Sequence, residues 1–233
     1  MSPSLQQTIQ EILLLIVPFL LAITVHEFAH GWVAYKLGDP TAKLAGRLSL
    51  NPIKHLDLFG TLALILTRRF GWAKPVPVNP NNLRDPKRDM MWVSLAGPAS
   101  NFLLAIIFAI LLRGITTINP SFKSLIYPAL SYQFPSLAGF DSFTILGVIF
   151  FWMICLGMVL NVILAVFNLI PLPPLDGGKI LQGILPGDLS ATFGKIEPYG
   201  FLIIIALAFT GVLWGVISPF FKISMGILLS IIF

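Results

Sequence analysis

Apolar residues come in long unbroken runs along this chain, and polar residues gather between the runs instead of alternating within them. Residues 9–37, 90–112 and 143–170 are each long enough to cross a bilayer core, which takes roughly 17–25 residues as helix. Residues 199–233 are almost wholly apolar but carry Pro219 and Lys222, so they predict one span plus a half-span broken near those residues. Residues 58–66 are apolar but too short to cross, and predict a re-entrant or partly inserted segment. Residues 114–142 contain Pro120, Pro128 and Pro135 and predict a loop with a helical turn. Residues 70–80, FGWAKPVPVNP, cannot form a regular helix because Pro75 and Pro77 lack amide donors, so they predict an extended edge strand or hairpin arm. A short helix is expected over residues 177–185. The fold class that follows is an all-α polytopic membrane protein of about five to six transmembrane segments. It carries a small extended element near residues 70–80, and the whole chain, 1–233, forms one membrane-embedded domain.

Composition sharpens this picture. At 56% hydrophobic and 11% charged residues, the chain has too little charge to cover a soluble domain of its length. The net charge of +5 is better read as topology than as a nucleic-acid footprint, and no nucleic-acid partner is expected. Ten of the fifteen Lys and Arg residues lie from Lys36 to Arg88, which places that region in the cytoplasm and the N-terminus outside. The first run carries HEFAH near its end and has no basic residue before it, so it reads as a retained span, not a cleaved signal. The single cysteine, Cys155, lies in an apolar run and reads as a small hydrophobe.

The chemistry concentrates in His26-Glu27-Phe28-Ala29-His30. On a helix, positions i and i+4 share a face, so both imidazoles can reach one metal ion, and the intervening glutamate can act on water beside it. Ionisable groups inside a membrane span are costly unless they have partners, which favours a metal site over two histidines satisfied separately. A catalytic zinc takes three protein ligands and one open position. The remaining histidine, His55, is one candidate for the third ligand and Asp176 is the other. Topology favours Asp176. With Lys36 at the interface, His30 lies about 9 Å and His26 about 15 Å below it, at 1.5 Å per residue. The third span returns to that leaflet and delivers LPPLDGG there. Its prolines free the backbone from the helix, and Gly177 and Gly178 permit a tight turn behind the carboxylate. His55 then reads as a pocket residue next to the ligands or as an interfacial one, and Asp57 has a similar claim, with capping or topology as the alternative.

HEFAH, NPIKHLDLFGT, GWAKPVPVNP, SLAGPASN and FNLIPLPPLDGG follow one another in this order. Together they resemble the compact prokaryotic members of the site-2 protease family, without the PDZ or CBS domains of some relatives. The resemblance implies an intramembrane zinc endopeptidase with one Zn2+ held by His26, His30 and Asp176, and with Glu27 as general base. It also assigns Asn168 a part in placing substrate or stabilising the oxyanion. From the residues alone, an interhelical hydrogen bond accounts for Asn168 equally well. The implied partners are a membrane protein with a transmembrane segment and the bilayer itself. The implied place is a prokaryotic cell membrane, with the site toward the cytoplasm.

Two further patterns qualify that reading. Trp72, Lys74, Val76 and Val78 alternate along the extended segment, and such a segment could accept an unwound substrate as an added strand. Ser94, Gly97, Asn101 and Ala105 share one face of the second span, and Gly157, Asn161, Ala165 and Asn168 one face of the third. Small and amide residues at this spacing predict close helix contacts. The alternative function is a divalent-metal transporter built on the same ligands, but no symmetric counterpart of the HEFAH and LDG motifs is present.

Overall fold

The computed structural model describes residues 3–67, 72–131, 133 and 141–233, with the side chains of 3–11 and 63–67 left aside. Its elements are ten α-helices and three 3-10 turns among those residues. They are α1 (Pro3–Lys36), α2 (Thr41–Leu44), α3 (Leu58–Thr67), α4 (Pro86–Ile118), α5 (Ile126–Leu130), α6 (Ser142–Asn168), α7 (Asp176–Ile184), α8 (Gly187–Gly194), α9 (Glu197–Phe209) and α10 (Val212–Ile232). Among the described residues, α1, α4, α6 and α10 are long and apolar enough to cross a membrane, and α8 with α9 makes a pair bent by 63° that could serve as a fifth span.

The helix starts have local causes. Asp85 precedes Pro86, and its carboxylate accepts from the Arg88 N–H at 3.1 Å, capping α4. Asp141 caps α6 by accepting from the Phe143 and Thr144 amides. Asp57 accepts from the Gly60 N–H at 2.8 Å and caps α3, one of the alternatives its sequence position left open. In the C-terminal apolar stretch the break falls at Gly211, not at Pro219. Gly211 sits at φ +78°, the left-handed region glycine enters without a Cβ penalty, whereas Pro219 rides inside α10. A membrane helix tolerates one missing amide where neighbours can satisfy the freed carbonyl.

α4 is the central element, packed against α1, α6 and α7, and α10 closes on α4 and α6. The core is formed by Trp152, Phe151, Leu156 and Met158 of α6 against Ala105, Ala109 and Leu112 of α4. Gly157 allows this approach, since a Cβ there would lie 2.6 Å from the Phe108 ring. Both small-residue faces are buried, as expected, with Asn168 half-buried at the end of its stripe.

The extended segment differs from its expectation. Among the described residues it contributes one isolated bridge, between Leu56 and Ala73, and no strand. Pro75 and Pro77 remove the donors that a ladder would need. Phe70 and Gly71 of that expected segment, and Pro135 of the expected loop, lie outside the described residues. The segment is held by single bonds instead. Lys74 N–H donates to His55 O at 2.9 Å, and Arg47 Nη2 donates to Lys74 O at 2.5 Å.

Asp39, fully buried just after α1, ties down the far end of the segment. Its carboxylate accepts from the Asn79 N–H at 2.7 Å, from Asn82 Nδ2 at 2.8 Å and from the Thr41 N–H at 3.1 Å. Burial opposes ionisation here, but the hydrogen bonds from Asn82 and Thr41 and the two backbone amides outweigh it and hold the carboxyl below its ordinary value. A depressed carboxylate contributes stability that is fully present above the unfolded-state value and is lost as pH falls through the folded value. Asp39→Asn is therefore expected to speed amide exchange over residues 76–82 at neutral pH, by the equivalent of about 2 kcal/mol for bonds to a charged group. It should also flatten the acid dependence of that exchange. Hydrogen exchange with mass detection, read against pH, checks both.

Candidate active site

His26 and His30 are a helical turn apart near the end of α1, both nine-tenths buried or more. Their rings meet edge to face at 4.6 Å, with the two Nε2 atoms 3.0 Å apart. Asp176, the first residue of α7, brings Oδ2 to 3.2 Å from His26 Nε2 and 3.3 Å from His30 Nε2. The sequence-predicted trio is thus brought together from two distant stretches, and it is the one cluster of potential metal ligands found among the described residues.

The donor chemistry fits a divalent cation. His30 Nδ1 lies 2.7 Å from Val93 O, and a carbonyl can only accept, so the ring proton sits on Nδ1 and Nε2 presents a lone pair. Asp176 Oδ2 is buried without a hydrogen-bond partner and faces the same point. Two imidazole nitrogens and a carboxylate oxygen converging on one point repel one another unless a shared proton or a metal cation lies between them, and this nitrogen and oxygen donor set is one that zinc accepts. Tetrahedral zinc with ligands about 2.0–2.2 Å away sets ligand atoms roughly 3.3–3.6 Å apart, so these donors need only a slight opening to hold it.

Close backbone approaches make this convergence possible. A Cβ on Gly97 of α4 would lie 2.4 Å from His30 Nε2 and 2.6 Å from His26 Cε1, so only glycine lets α4 pass behind the two imidazoles. The glycines after Asp176 act differently from their sequence reading. Neither has a positive φ. They open α7 where a Cβ on Gly177 would meet Leu169 O at 2.3 Å and one on Gly178 would meet Pro173 N at 2.5 Å. They are needed for close packing of α7 on the LPPL loop, not for a left-handed turn.

The remaining candidates are placed as follows. Glu27 is half-buried beside His26, and its Oε2 accepts from the Val76 N–H at 2.7 Å. Val76 is buried, and its Cγ1 packs on α1 at Gly31. Trp72 and Lys74 are exposed and Val78 is half-buried, so the four do not share one face. Trp72 instead meets the Phe201 ring of α9 edge to face at 6.5 Å. His55 is fully buried, but its Nε2 donates to Ser49 O at 2.7 Å and it is not one of the clustered ligands. Its contacts clamp the loop between α2 and α3. Asn168 donates through Nδ2 to Leu164 O of its own helix at 2.9 Å. Gly97 and Asn101, which read from the sequence as helix interface, prove to touch the two histidines, with Asn101 Oδ1 2.6 Å from His26 Nδ1. The signal that could have found Asn101 was an amide in an apolar span, which must be partnered by something polar.

Comparison with known proteins gives the family. The family model described as Peptidase family M50 matches residues 14–211. The chain belongs to peptidase family M50. A Bacillus subtilis protein named "Putative zinc metalloprotease YwhC" is 41% identical over 208 residues, covering 88% of this chain and 85% of the relative. A Mycolicibacterium smegmatis protein named "Putative zinc metalloprotease Rip2" is 30% identical over 202 residues, covering 85% of this chain and 67% of the relative. No solved structure matches significantly. The M50 match spans α1 from within its apolar part through α9, and so contains His26, Glu27, His30, Asn101 and Asp176 together.

Proposed function

We propose that this M50 protein is an intramembrane zinc endopeptidase in which His26, His30 and Asp176 hold the metal and Glu27 is the general base. The observation that carries the reading is the meeting of Asp176 Oδ2 with two Nε2 atoms at 3.2 and 3.3 Å, inside a membrane-length helix and next to a glutamate. Zinc held there would supply a Lewis acid that acidifies water and polarises a carbonyl. The chain's own groups do the rest. Val76 N–H anchors one oxygen of Glu27, leaving the other to take the proton of the attacking water and return it to the departing amide nitrogen. Asn168 spends one Nδ2 hydrogen on Leu164 O and keeps a second that can be offered to the oxyanion.

The substrate is a membrane protein whose spanning segment must unwind before a peptide bond can reach Glu27. The segment from Trp72 to Asn79 is the receiving edge in this reading. Lys74, Val76 and Asn79 have spent their amides on His55, Glu27 and Asp39, whereas Val78 N–H has no partner among the described residues and stays available to an incoming strand. Val78→Pro should keep zinc and reduce cleavage of a helical substrate at least about tenfold, and Val76→Pro, which also strips Glu27 of its anchor, should reduce it further. Undiminished cleavage by Val78→Pro, measured on a purified single-span substrate, would remove the segment from substrate binding.

The chain as one membrane-embedded unit, with five segments counting the bent α8–α9 pair or six counting α3 as well, completes the proposal. So does a bacterial cell membrane with the site facing the cytoplasm, where residues 36–88 gather positive charge. The deciding experiment is metal content and cleavage by the purified protein. One zinc per chain, cleavage abolished by chelation and restored by zinc, is the expected result. Stoichiometric zinc carried without cleavage of any spanning substrate would favour transport.

A further inference from the structure

Asn101 and Asn161 are fully buried amides in the packed faces of α4 and α6. Their hydrogen bonds run in one direction only. Asn161 Nδ2 donates to Gly157 O, one turn back in its own helix, at 2.8 Å. That fixes Asn161 Oδ1 toward α4, where it accepts from Asn101 Nδ2 at 2.7 Å. The same Asn101 amino group donates to Ala22 O of α1 at 3.1 Å. Asn101 Oδ1 is thereby turned to His26 Nδ1 at 2.6 Å. Flipping Asn101 would set its oxygen against two other oxygens, those of Ala22 and Asn161. Because Ala22 O and Gly157 O can only accept, the orientation of the whole relay is dictated by the backbone.

From this geometry we infer that Asn101 is a positioning residue that fixes the tautomer and ring plane of His26, and that Asn161 in turn fixes Asn101. An acceptor at Nδ1 requires the proton there and leaves Nε2 bare toward Asp176 and His30. The two histidines are held differently. His30 takes its acceptor from the Val93 backbone, which no substitution at Val93 removes. His26 depends on two side chains from two other helices, so its readiness to bind metal is tied to the packing of α1, α4 and α6. The inference rests on the proposed ligand role of His26.

The test is competition for zinc against a graded chelator with purified protein, alongside 15N spectra of the histidine rings of the metal-free protein. Asn101→Leu, close in volume but without an acceptor, is expected to lose about 10–100-fold in zinc affinity and the Nδ1–H signature of His26. Asn101→Asp keeps the acceptor and is expected to hold zinc better than Asn101→Leu. A purely packing role predicts the opposite order, because a carboxylate is the worse guest in an apolar interface. Asn161→Leu, which leaves the acceptor but frees its orientation, should fall between the native protein and Asn101→Leu, and it carries the test if Asn101→Leu does not fold. Native-like midpoints for both leucine variants, or Asp below Leu at position 101, would overturn the inference. Failure of the native protein itself to bind zinc would instead overturn the ligand assignment.

Discussion

Glu27→Gln is expected to bind zinc as the native protein does and to cleave a single-span substrate about 10²–10⁴ times more slowly. The side-chain amide matches the carboxylate in size and can still accept the Val76 N–H through its remaining oxygen, so the bond now measured at 2.7 Å survives. None of the three clustered side chains is altered, and the contacts of His26 and His30 with Asn101 and Val93 stay in place. What is lost is a group that can hold a proton between the attacking water and the leaving nitrogen. The measurement is turnover under single-turnover conditions, with zinc per chain determined on the same sample. A variant that keeps its metal and its rate would mean that another group is the base.

Gly97→Ala should be nearly as damaging by a different route. The added methyl would lie 2.4 Å from His30 Nε2, 2.5 Å from His30 Cε1 and 2.6 Å from His26 Cε1. Neither ring has room to retreat, because each is tied through Nδ1 to Asn101 or Val93 on α4 itself. The backbone of α4 is pinned between α1, α6 and α7. The rings must therefore leave their positions, and zinc affinity is expected to drop at least about 100-fold, with cleavage following it. Helicity should not suffer, since alanine favours a helix over glycine by about 1 kcal/mol. Gly114→Ala in the same helix, where a Cβ meets nothing within 4 Å, is the matched control and should bind zinc normally. Equal zinc affinity for the two variants would show that α4 and α1 are not held as closely as described.

Why these effects differ in kind shows what could be read without a fold. Glu27 was legible because HEFAH is a local pattern, whose chemistry depends only on the helix repeat placing His26 and His30 on one face. Gly97 was legible only as a small residue at a helix contact. Which helix it contacts, and that the contact is a pair of imidazoles, depends on the crossing of α4 over α1. The same limit applies to Val76, read as one of four residues on a strand face. Among the described residues the segment keeps one bridge and no strand, Trp72 turned to Phe201, and the amide of Val76 went to Glu27. With prolines on both sides, that amide is the one donor in the tripeptide, and the sequence does not say which acceptor reaches it.

By itself, then, the sequence determined the long apolar helices and pointed to the trio His26, His30 and Asp176 that the fold brings together, because run length and helical periodicity are consequences of local composition. It misplaced the last break, since a proline inside a membrane helix costs less than its soluble penalty suggests and Gly211 could turn left-handed instead. Only the tertiary structure decided what stands behind the two histidines: Gly97 clearing space for them, Asn101 and Val93 holding their outer nitrogens, and Val76 holding Glu27. The physical reason is range. Hydrogen bonds and steric contacts act over a few ångströms, and residues separated by 49 to 75 positions come within that distance only when whole helices pack.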